Sequence, residues 1–154
     1  MNNKHTRILT SEITVNSDIE TVFGFFAKAE NLNIITPPEL KFRIITPLPI
    51  EMKKGTLIDY KIKLNAVPFA WKTEISEWEP PYRFVDRQLK GPYRIWIHEH
   101  TFRSHEGKTI VKDKVEYLPP GNIAEPFIHK LVVQKKLERI FSYRRQKITE
   151  IFNN

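Results

Sequence analysis

The stretch WKTEISEWEPPYRFVDRQLKGPYRIWIHEHTF, residues 71–102, decides the fold of this chain. It holds three segments in which apolar and polar residues alternate, and alternation with a period of two is typical of strands. Pro80-Pro81 interrupts the alternation once, and the tight turn Lys90-Gly91-Pro92 interrupts it again. Strands joined by such short connections run antiparallel, so the stretch predicts the centre of an antiparallel meander.

Further strands are predicted on both sides of this centre. The segments that alternate in the same way cover residues 7–15, 56–64 and 109–117, with a shorter strand around Phe42 and Ile44. Glu106-Gly107 marks a hairpin turn into the last of them. The sheet is therefore expected to contain most of the chain between residues 40 and 117 in addition to the first strand.

Two short helices and one long helix complete the prediction. Ser17 and Glu20 have the spacing of a capping box, in which Ser17 caps a helix and Glu20 reaches back to it. A second short helix is predicted over residues 30–35, ending at Pro37-Pro38. From about Pro126 the chain turns helical again for roughly 26 residues, or about 40 Å. A helix of that length must lie across a broad surface, and the sheet is the only candidate.

Length and composition narrow the class of protein. A chain of 154 residues is expected to form one domain over residues 1–154. It has no cysteine, which excludes disulfides, cysteine-ligated metal sites and thiol catalysis. Its first residues are polar and no apolar run approaches the ~18 residues of a membrane helix, so we expect a cytoplasmic protein without stable membrane insertion. No phosphate-binding glycine loop, serine elbow or zinc-finger spacing occurs.

The net charge is +7, with 25 basic and 18 acidic residues. Such a balance is compatible with binding to nucleic acid or acidic lipid. The acidic residues are mixed among the basic ones, and Glu138 and Glu150 interrupt the most basic segment. We therefore expect no nucleic-acid partner and interpret that segment as the solvated face of the last helix. Its basic residues are Lys135, Lys136, Arg139, Arg144, Arg145 and Lys147.

The order of elements resembles the helix-grip fold of the START/Bet v 1-like (SRPBCC) superfamily, and within it the bacterial polyketide cyclase/dehydrase-like, ligand-binding branch. The resemblance covers nearly the whole chain, and it rests on Trp71-x-x-x-Ile75-x-x-Trp78-x-Pro80-Pro81-x-x-Phe84-x-Asp86-x-Gln88-x-x-Gly91-Pro92-Tyr93-x-x-Trp96-x-His98-x-His100-x-Phe102, followed by Asp113-x-Val115-x-Tyr117 and Phe141-x-x-Arg144. It implies an α+β fold in which a curved antiparallel sheet wraps around the C-terminal helix, with two short helices after the first strand. Members carry, sequester, cyclise or sense many different molecules, so the resemblance implies no single activity.

Polar residues stand on strand faces that otherwise look buried. His98 and His100 share one face of their strand with two aromatic residues, since side chains alternate along a strand. By the same alternation, Asp86 and Gln88 point together on the preceding strand, and Asp113 lies among apolar residues on the following one. These five residues are predicted to form one cluster on the concave side of the sheet.

Several interpretations of this cluster stay open. In the first interpretation, the cluster forms a structural hydrogen-bond network, because a buried polar group left unpaired costs about 1–3 kcal/mol. In the second, it anchors the polar end of a ligand in an apolar pocket. In the third, it catalyses proton transfer, with His98 or His100 as the shuttle and Asp113 or Asp86 orienting it. In the fourth, it holds a metal ion through His98, His100 and Asp113. This fourth interpretation has the weakest signal, and no metal or cofactor is predicted.

The predicted function is binding of a small hydrophobic or amphipathic molecule, such as a lipid, polyketide or isoprenoid-like compound, in an internal cavity between the sheet and the C-terminal helix. The alternative is a polyketide cyclase/dehydratase-like enzyme that uses a His/Asp pair in the same cavity. The residues predicted to contact the ligand are Ile58, Tyr60, Trp71, Ile75, Phe84, Gln88, Trp96, His98, His100, Phe102, Val115 and Phe141.

Overall fold

A computed structural model describes residues 6–119 and 129–153. The strands are β1 (Arg7–Val15), β2 (Arg43–Ile44), β3 (Leu57–Leu64), β4 (Val67–Glu79), β5 (Arg83–Lys90), β6 (Ile95–His105) and β7 (Lys108–Leu118). The helices are α1 (Ile19–Phe26), two 3-10 segments (Ala29–Asn33 and Pro38–Leu40), a π-helical turn (His129–Gln134) and α2 (Lys135–Phe152). No helix in these two ranges is long and apolar enough to cross a membrane.

The seven strands form one antiparallel sheet in the order β1-β7-β6-β5-β4-β3-β2. Consecutive strands from β2 to β7 are neighbours, as a meander requires, and β1 closes the other edge by pairing with β7. The β6–β7 turn carries positive φ angles at Glu106 (51°) and Gly107 (76°), as expected for a tight hairpin turn. The predicted α+β helix-grip architecture is thereby confirmed.

Alternation along β7 shows how the sheet builds its inner face. Thr109, Val111, Asp113, Val115 and Tyr117 are all buried, whereas the residues between them are partly or fully exposed. The pleat sends every second side chain to the same side. A carboxylate on that face therefore enters the interior together with the apolar side chains.

The start of α1 differs from the prediction by one residue. Asp18, not Ser17, is the N-cap, and its Oδ1 accepts a hydrogen bond from the backbone N–H of Thr21 at 2.8 Å. Ser17 precedes the cap, and its backbone carbonyl oxygen accepts the Thr109 hydroxyl at 2.7 Å. The predicted capping box was wrong: the carboxylate one residue closer to the helix takes the capping role.

The other helices also depart from the prediction. The second helix is a 3-10 segment over Ala29–Asn33, and Pro37-Pro38 leads into a further 3-10 turn rather than only ending a helix. The last helix starts with the π-helical turn His129–Gln134 and continues for 18 regular residues, so the predicted long C-terminal helix is confirmed, although its first part is not a regular α-helix. Its predicted beginning near Pro126 lies outside the described residues.

Two apolar clusters hold the helices against the inner face of the sheet. In the first, α1 packs through Val22, Phe23 and Phe26 against β5, β6 and β7, and Ile148 of α2 joins it. In the second, Leu137 and Phe141 of α2 pack against the inner face of β7. The last helix thus lies across the concave face and contacts the sheet near both of its ends.

Candidate functional site

A cavity of about 180 Å³ lies between the concave face of the sheet and α2. Its walls are mostly aliphatic and aromatic side chains of β3, β4 and β6 on one side and of α2 on the other. The helix contributes Leu137, Ile140 and Phe141. Few polar residues interrupt these walls, and Asp86, His98, His100 and Arg144 are the charged or titratable ones besides the tyrosines and Lys28.

Five side chains form what we call the polar network: Asp86, His98, His100, Asp113 and Arg144. His98 Nε2 lies 2.8 Å from Asp113 Oδ1, and His100 Nε2 lies 2.6 Å from Asp86 Oδ2. Strand register explains these pairs, because Asp86 stands opposite His98 and Asp113 stands opposite His100. Each histidine therefore bonds the carboxylate diagonal to it, within the reach of diagonal cross-strand neighbours. The two imidazole rings stack with centroids 3.7 Å apart.

Arg144 brings the last helix into this network. Its Nε lies 3.2 Å from Asp113 Oδ2 and its Nη2 lies 3.1 Å from Asp113 Oδ1, a two-point contact between guanidinium and carboxylate. The same Nη2 is 3.4 Å from His100 Nδ1. The guanidinium also stands over the ring of Phe26, 5.1 Å from its centroid. One arginine thus joins α2, α1 and the sheet.

Arg144 was predicted on the solvated basic face of the last helix. This was wrong, because Arg144 is 5% exposed. The signal that identifies it is its position in the apolar stripe, since Leu137, Phe141, Arg144 and Ile148 follow one another at spacings of four, three and four residues and are all buried. A basic residue on that stripe must face the sheet and needs an acidic partner there.

The carboxylates of the network stay ionised. Burial raises the pKa of Asp113, but the charge of Arg144 and the hydrogen bonds from His100 and His98 outweigh burial and hold that pKa well below the usual 3.8. Burial likewise raises the pKa of Asp86, and the hydrogen bond from His100 with the charges around it lowers the pKa below the usual value. Both groups therefore act as hydrogen-bond acceptors.

The pKa values of the two histidines shift in opposite directions. Burial and the neighbouring charge of His100 lower the pKa of His98 below its ordinary 6.5. Burial also lowers the pKa of His100, but its hydrogen bonds to Asp113 and Asp86 outweigh burial and raise that pKa above 6.5. The arrangement favours a neutral His98 and a protonated His100. Because Asp113 only accepts, neutral His98 carries its proton on Nε2 and leaves Nδ1 as an acceptor.

The ligand atoms of Asp86, His98 and His100 lie within 4.8 Å of one another, a set that fits a metal ion by residue type. The geometry disfavours it. His100 Nε2 already lies 2.6 Å from Asp86 Oδ2 and His98 Nε2 lies 2.8 Å from Asp113 Oδ1, so a metal about 2 Å from these nitrogens would have to replace both hydrogen bonds. It would also lie close to the guanidinium of Arg144. Asp113, the carboxylate of the metal interpretation in the sequence analysis, is held by that arginine.

Nine of the twelve residues predicted to contact a ligand line the cavity: Ile58, Tyr60, Trp71, Ile75, Phe84, Trp96, His98, His100 and Phe141. Of the predicted catalytic candidates, Asp86, His98 and His100 line it, and Asp113 lies behind the histidines. Contact of these residues with a ligand stays a prediction. Phe102 and Val115 lie elsewhere: Phe102 packs against Phe23 and Phe26 of α1, and Val115 belongs to the apolar cluster under α2.

Gln88 was predicted in the cavity and lies instead at the β5–β6 connection. Its Nε2 donates to the carbonyl of Tyr93 at 2.6 Å, and its Oε1 accepts from the Tyr93 N–H at 3.1 Å. A Cβ at Gly91 would come within 2.4 Å of Gln88 Oε1. The glutamine therefore closes the turn over Gly91, while Tyr93, which was not among the residues predicted to contact a ligand, lines the cavity.

The solved structures that this chain is similar to share its whole architecture. The chain has the helix-grip fold that these structures share. The Zhui aromatase/cyclase from Streptomyces sp. R1128 matches with a TM-score of 0.74 and 16% identity, over 94% of this chain and 92% of that chain. Major latex-like protein 151 from Panax ginseng matches with a TM-score of 0.66 and 12% identity, over 96% and 97%.

Protein Ms6760 from Mycobacterium smegmatis matches with a TM-score of 0.66 and 15% identity, over 94% of this chain and 89% of that chain. No family model matches the sequence, and the search of curated proteins found no relative. At these identities the comparisons show the fold, and the function must be argued from the site.

Replacing Arg144 tests whether the polar network holds the fold together. Arg144→Met should lower the free energy of unfolding by about 3–5 kcal/mol in urea, because it leaves a buried carboxylate without its cation. Arg139→Met is the matched control on the same helix. Its ion pair with Glu39 is solvent-exposed, so its loss should cost less than about 1 kcal/mol. Adding Asp113→Asn to Arg144→Met should recover part of the loss, and equal losses in the two single variants would contradict this account.

The opposite pKa shifts of His98 and His100 predict that the free energy of unfolding is largest near pH 6.5. As pH falls from 8, stability should rise, because folded His100 takes up a proton more readily than it does in the unfolded chain, where its pKa is about 6.5. Below 6.5 it should fall, because His98 protonates in the unfolded chain while folding resists it. Below about pH 4, where the unfolded carboxyls take up protons, Asp113 should add a further loss.

The urea midpoint between about pH 3 and 8 measures this profile, and imidazole NMR titrations assign its histidine part. His105→Gln is the control, since His105 is exposed at the β6–β7 turn and should leave the maximum in place. Two buried histidines that titrate together at the ordinary value would contradict the assignment.

Proposed function

We propose that this protein binds a small hydrophobic or amphipathic molecule in the cavity between the sheet and α2. The observation that carries the proposal is a cavity with apolar walls and a few polar side chains in one of them. Small-molecule sites have this design, in which apolar walls supply affinity and a few polar groups fix orientation.

The size of the space supports a site rather than a packing defect. Native interiors are packed as densely as organic crystals and rarely contain voids larger than a water molecule. A cavity of about 180 Å³ has room for several. Large side chains such as Trp71, Trp96 and Phe141 surround the space without filling it, so its size does not result from a lack of bulky residues nearby.

The polar network supplies the orienting groups. Asp86, His98 and His100 line the cavity, and the Asp86 side chain keeps 19% of its surface accessible while both histidine side chains are below 10%. Asp113 holds both histidines from behind, and Arg144 holds Asp113 in turn. Groups fixed in this way are preorganised to meet the polar end of a ligand.

A cavity-filling variant tests the proposal. Ile140→Phe on α2 adds volume inside the cavity, and Ile151→Phe makes the same change on the same helix at an exposed position. Native mass spectrometry of freshly purified protein should show a small molecule bound near one-to-one to the wild type and to Ile151→Phe, and not to Ile140→Phe. Organic extraction then identifies its class.

A wild-type protein without bound mass that is also not stabilised by any member of a library of small apolar compounds in thermal-shift assays would overturn the proposal. A compound that stabilises Ile140→Phe as much as the wild type would place binding outside the cavity.

The second candidate function is a cyclase or dehydratase-like activity in the same cavity. It is favoured by His98, which lines the cavity, is held neutral by burial and has Asp113 on its Nε2. A neutral, oriented imidazole is suited to act as a general base. One protein of the same fold is named an aromatase/cyclase. Such reactions begin with removal of a proton from a carbon next to a carbonyl.

This candidate predicts catalysed proton exchange. In D2O the wild type should accelerate deuterium incorporation into the methyl group of acetophenone, followed by NMR, and His98→Gln should return the rate to background. The rate should rise with pH through the lowered pKa of His98, because only the neutral ring accepts a proton. His105→Gln should keep the wild-type rate. Absence of acceleration in the wild type would argue for binding without catalysis.

A further inference from the structure

The cavity wall contains one charge that the polar network does not balance. Lys28 lines the cavity and is exposed to solvent. Within residues 6–119 and 129–153, its ammonium group makes neither an ion pair nor a hydrogen bond. Because a residue of the cavity wall is exposed, the cavity reaches the surface of the protein beside it. A molecule in the cavity can therefore extend as far as Lys28.

Backbone hydrogen bonds fix the position of Lys28 in the wall. The residue lies between the end of α1 and the 3-10 segment Ala29–Asn33. Its N–H donates to the carbonyl of Phe25 at 3.4 Å, and its own carbonyl accepts from the N–H of Asn31 at 3.0 Å. The side chain beyond this fixed backbone is a flexible stem with an ammonium group at its end. The ammonium can therefore move to meet an anion at the opening.

The other charges at the cavity are balanced by one another. His100 bonds Asp86, and Arg144 bonds Asp113. With His100 protonated, as its raised pKa favours, these two cations and two carboxylates cancel. The polar network therefore has no excess charge for a ligand to neutralise, and Lys28 leaves the opening of the cavity with one positive charge in excess.

This excess charge decides which head group a ligand can place at the opening. A molecule that fills the cavity as far as Lys28 displaces water from around its ammonium group. Removing water from a charge is unfavourable unless a polar partner replaces it. An apolar end offers no such partner and a cationic end repels the ammonium, whereas an anion forms an ion pair. One ammonium matches the single charge of a carboxylate better than the charge of nearly two on a phosphate monoester.

We propose that the ligand is an amphipathic carboxylate, whose apolar part occupies the cavity and whose carboxylate pairs with Lys28 Nζ at the opening. This inference rests on the proposed function, because it concerns the molecule in the same cavity. The apolar walls supply affinity for a chain or ring that fits, and Lys28 selects among such molecules by the charge of their head group.

Three probes that share one alkyl chain test the inference: decanoate, neutral decanamide and decylammonium. Their dissociation constants are measured at about pH 7.5, where a carboxylic acid is ionised. Tryptophan fluorescence reports binding, since Trp71 and Trp96 line the cavity. The variants are Lys28→Glu and Lys28→Arg, with Lys61→Glu as the control. Lys61 is an exposed residue of β3 outside the cavity wall, so this control makes the same change in net charge.

Lys28→Glu should weaken decanoate about five- to thirtyfold, because repulsion replaces the attraction of a partly exposed ion pair. It should strengthen decylammonium several-fold and change decanamide less than about twofold. Lys28→Arg keeps the positive charge and should keep the affinity for decanoate within about twofold. Lys61→Glu should change all three affinities less than about twofold, because that charge is far from the head group and screened by salt.

The orientation of bound decanoate gives a second readout in the wild type. The protons next to the carboxylate should show nuclear Overhauser contacts with the ε protons of Lys28, and the terminal methyl group should show them with side chains of the cavity wall such as Phe141. The cavity-filling variant Ile140→Phe should bind none of the probes.

Two kinds of outcome separate this inference from the proposed function. The inference is overturned, and the proposed function stands, if Lys28→Glu changes the three affinities alike or not at all, if the methyl end of decanoate contacts Lys28, or if the wild type binds neutral apolar compounds but not decanoate. If neither the probes nor any small apolar compound binds the wild type, the proposed function fails and this inference with it.

Discussion

The carboxylate of Asp113 is the constraint around which the interior is arranged. The pleat of β7 sends it inward among Val111, Val115 and other apolar side chains, where an unpaired charge would cost several kcal/mol. Three side chains compensate it: His98 and His100 from the neighbouring strand and Arg144 from α2. Because the arginine must reach this one point, the requirement also fixes where and in which rotation the last helix crosses the sheet.

The same requirement separates the structural part of the polar network from the part that a ligand can meet. Arg144 uses its polar atoms on Asp113, and Asp113 uses its oxygens on Arg144 and on the two histidines. Asp86 receives His100 and keeps part of its surface accessible on the cavity side. A structural network and a polar anchor for a ligand are therefore compatible interpretations of one arrangement.

Sequence reasoning succeeded where one strict period governs the outcome. Alternation along three strands placed Asp86, His98, His100 and Asp113 together, because a pleated strand allows a side chain only two directions. It failed where a contact outside the strand pattern determines the position of a side chain. Gln88 shares the predicted face but is taken by the turn at Gly91, whose geometry belongs to the local chain.

Arg144 shows the opposite failure. It was assigned to the basic segment around it, although its position in the apolar stripe and a carboxylate 31 residues earlier decide its burial. The prediction of the helix start failed as well, because Ser17 and Asp18 both carry side chains that can cap a helix, and it is Asp18 that accepts from the N–H of Thr21. Contacts between distant parts of the chain do not follow from a local pattern.

Proteins of low sequence identity can share a fold because the fold and the selection of a ligand depend on different numbers of residues. An inner face needs only apolar side chains at every second position, which many sequences satisfy, so proteins 12–16% identical keep this architecture. Selection of a ligand depends on a few polar atoms in the wall. One methylene group in an apolar pocket changes affinity by about 1–3 kcal/mol, whereas a site built around a hydrogen bond rejects a molecule that lacks the partner far more strongly. If the cavity binds a ligand as proposed, the polar side chains in its wall, Asp86, His98 and His100, would influence the choice of molecule more than the apolar residues around them.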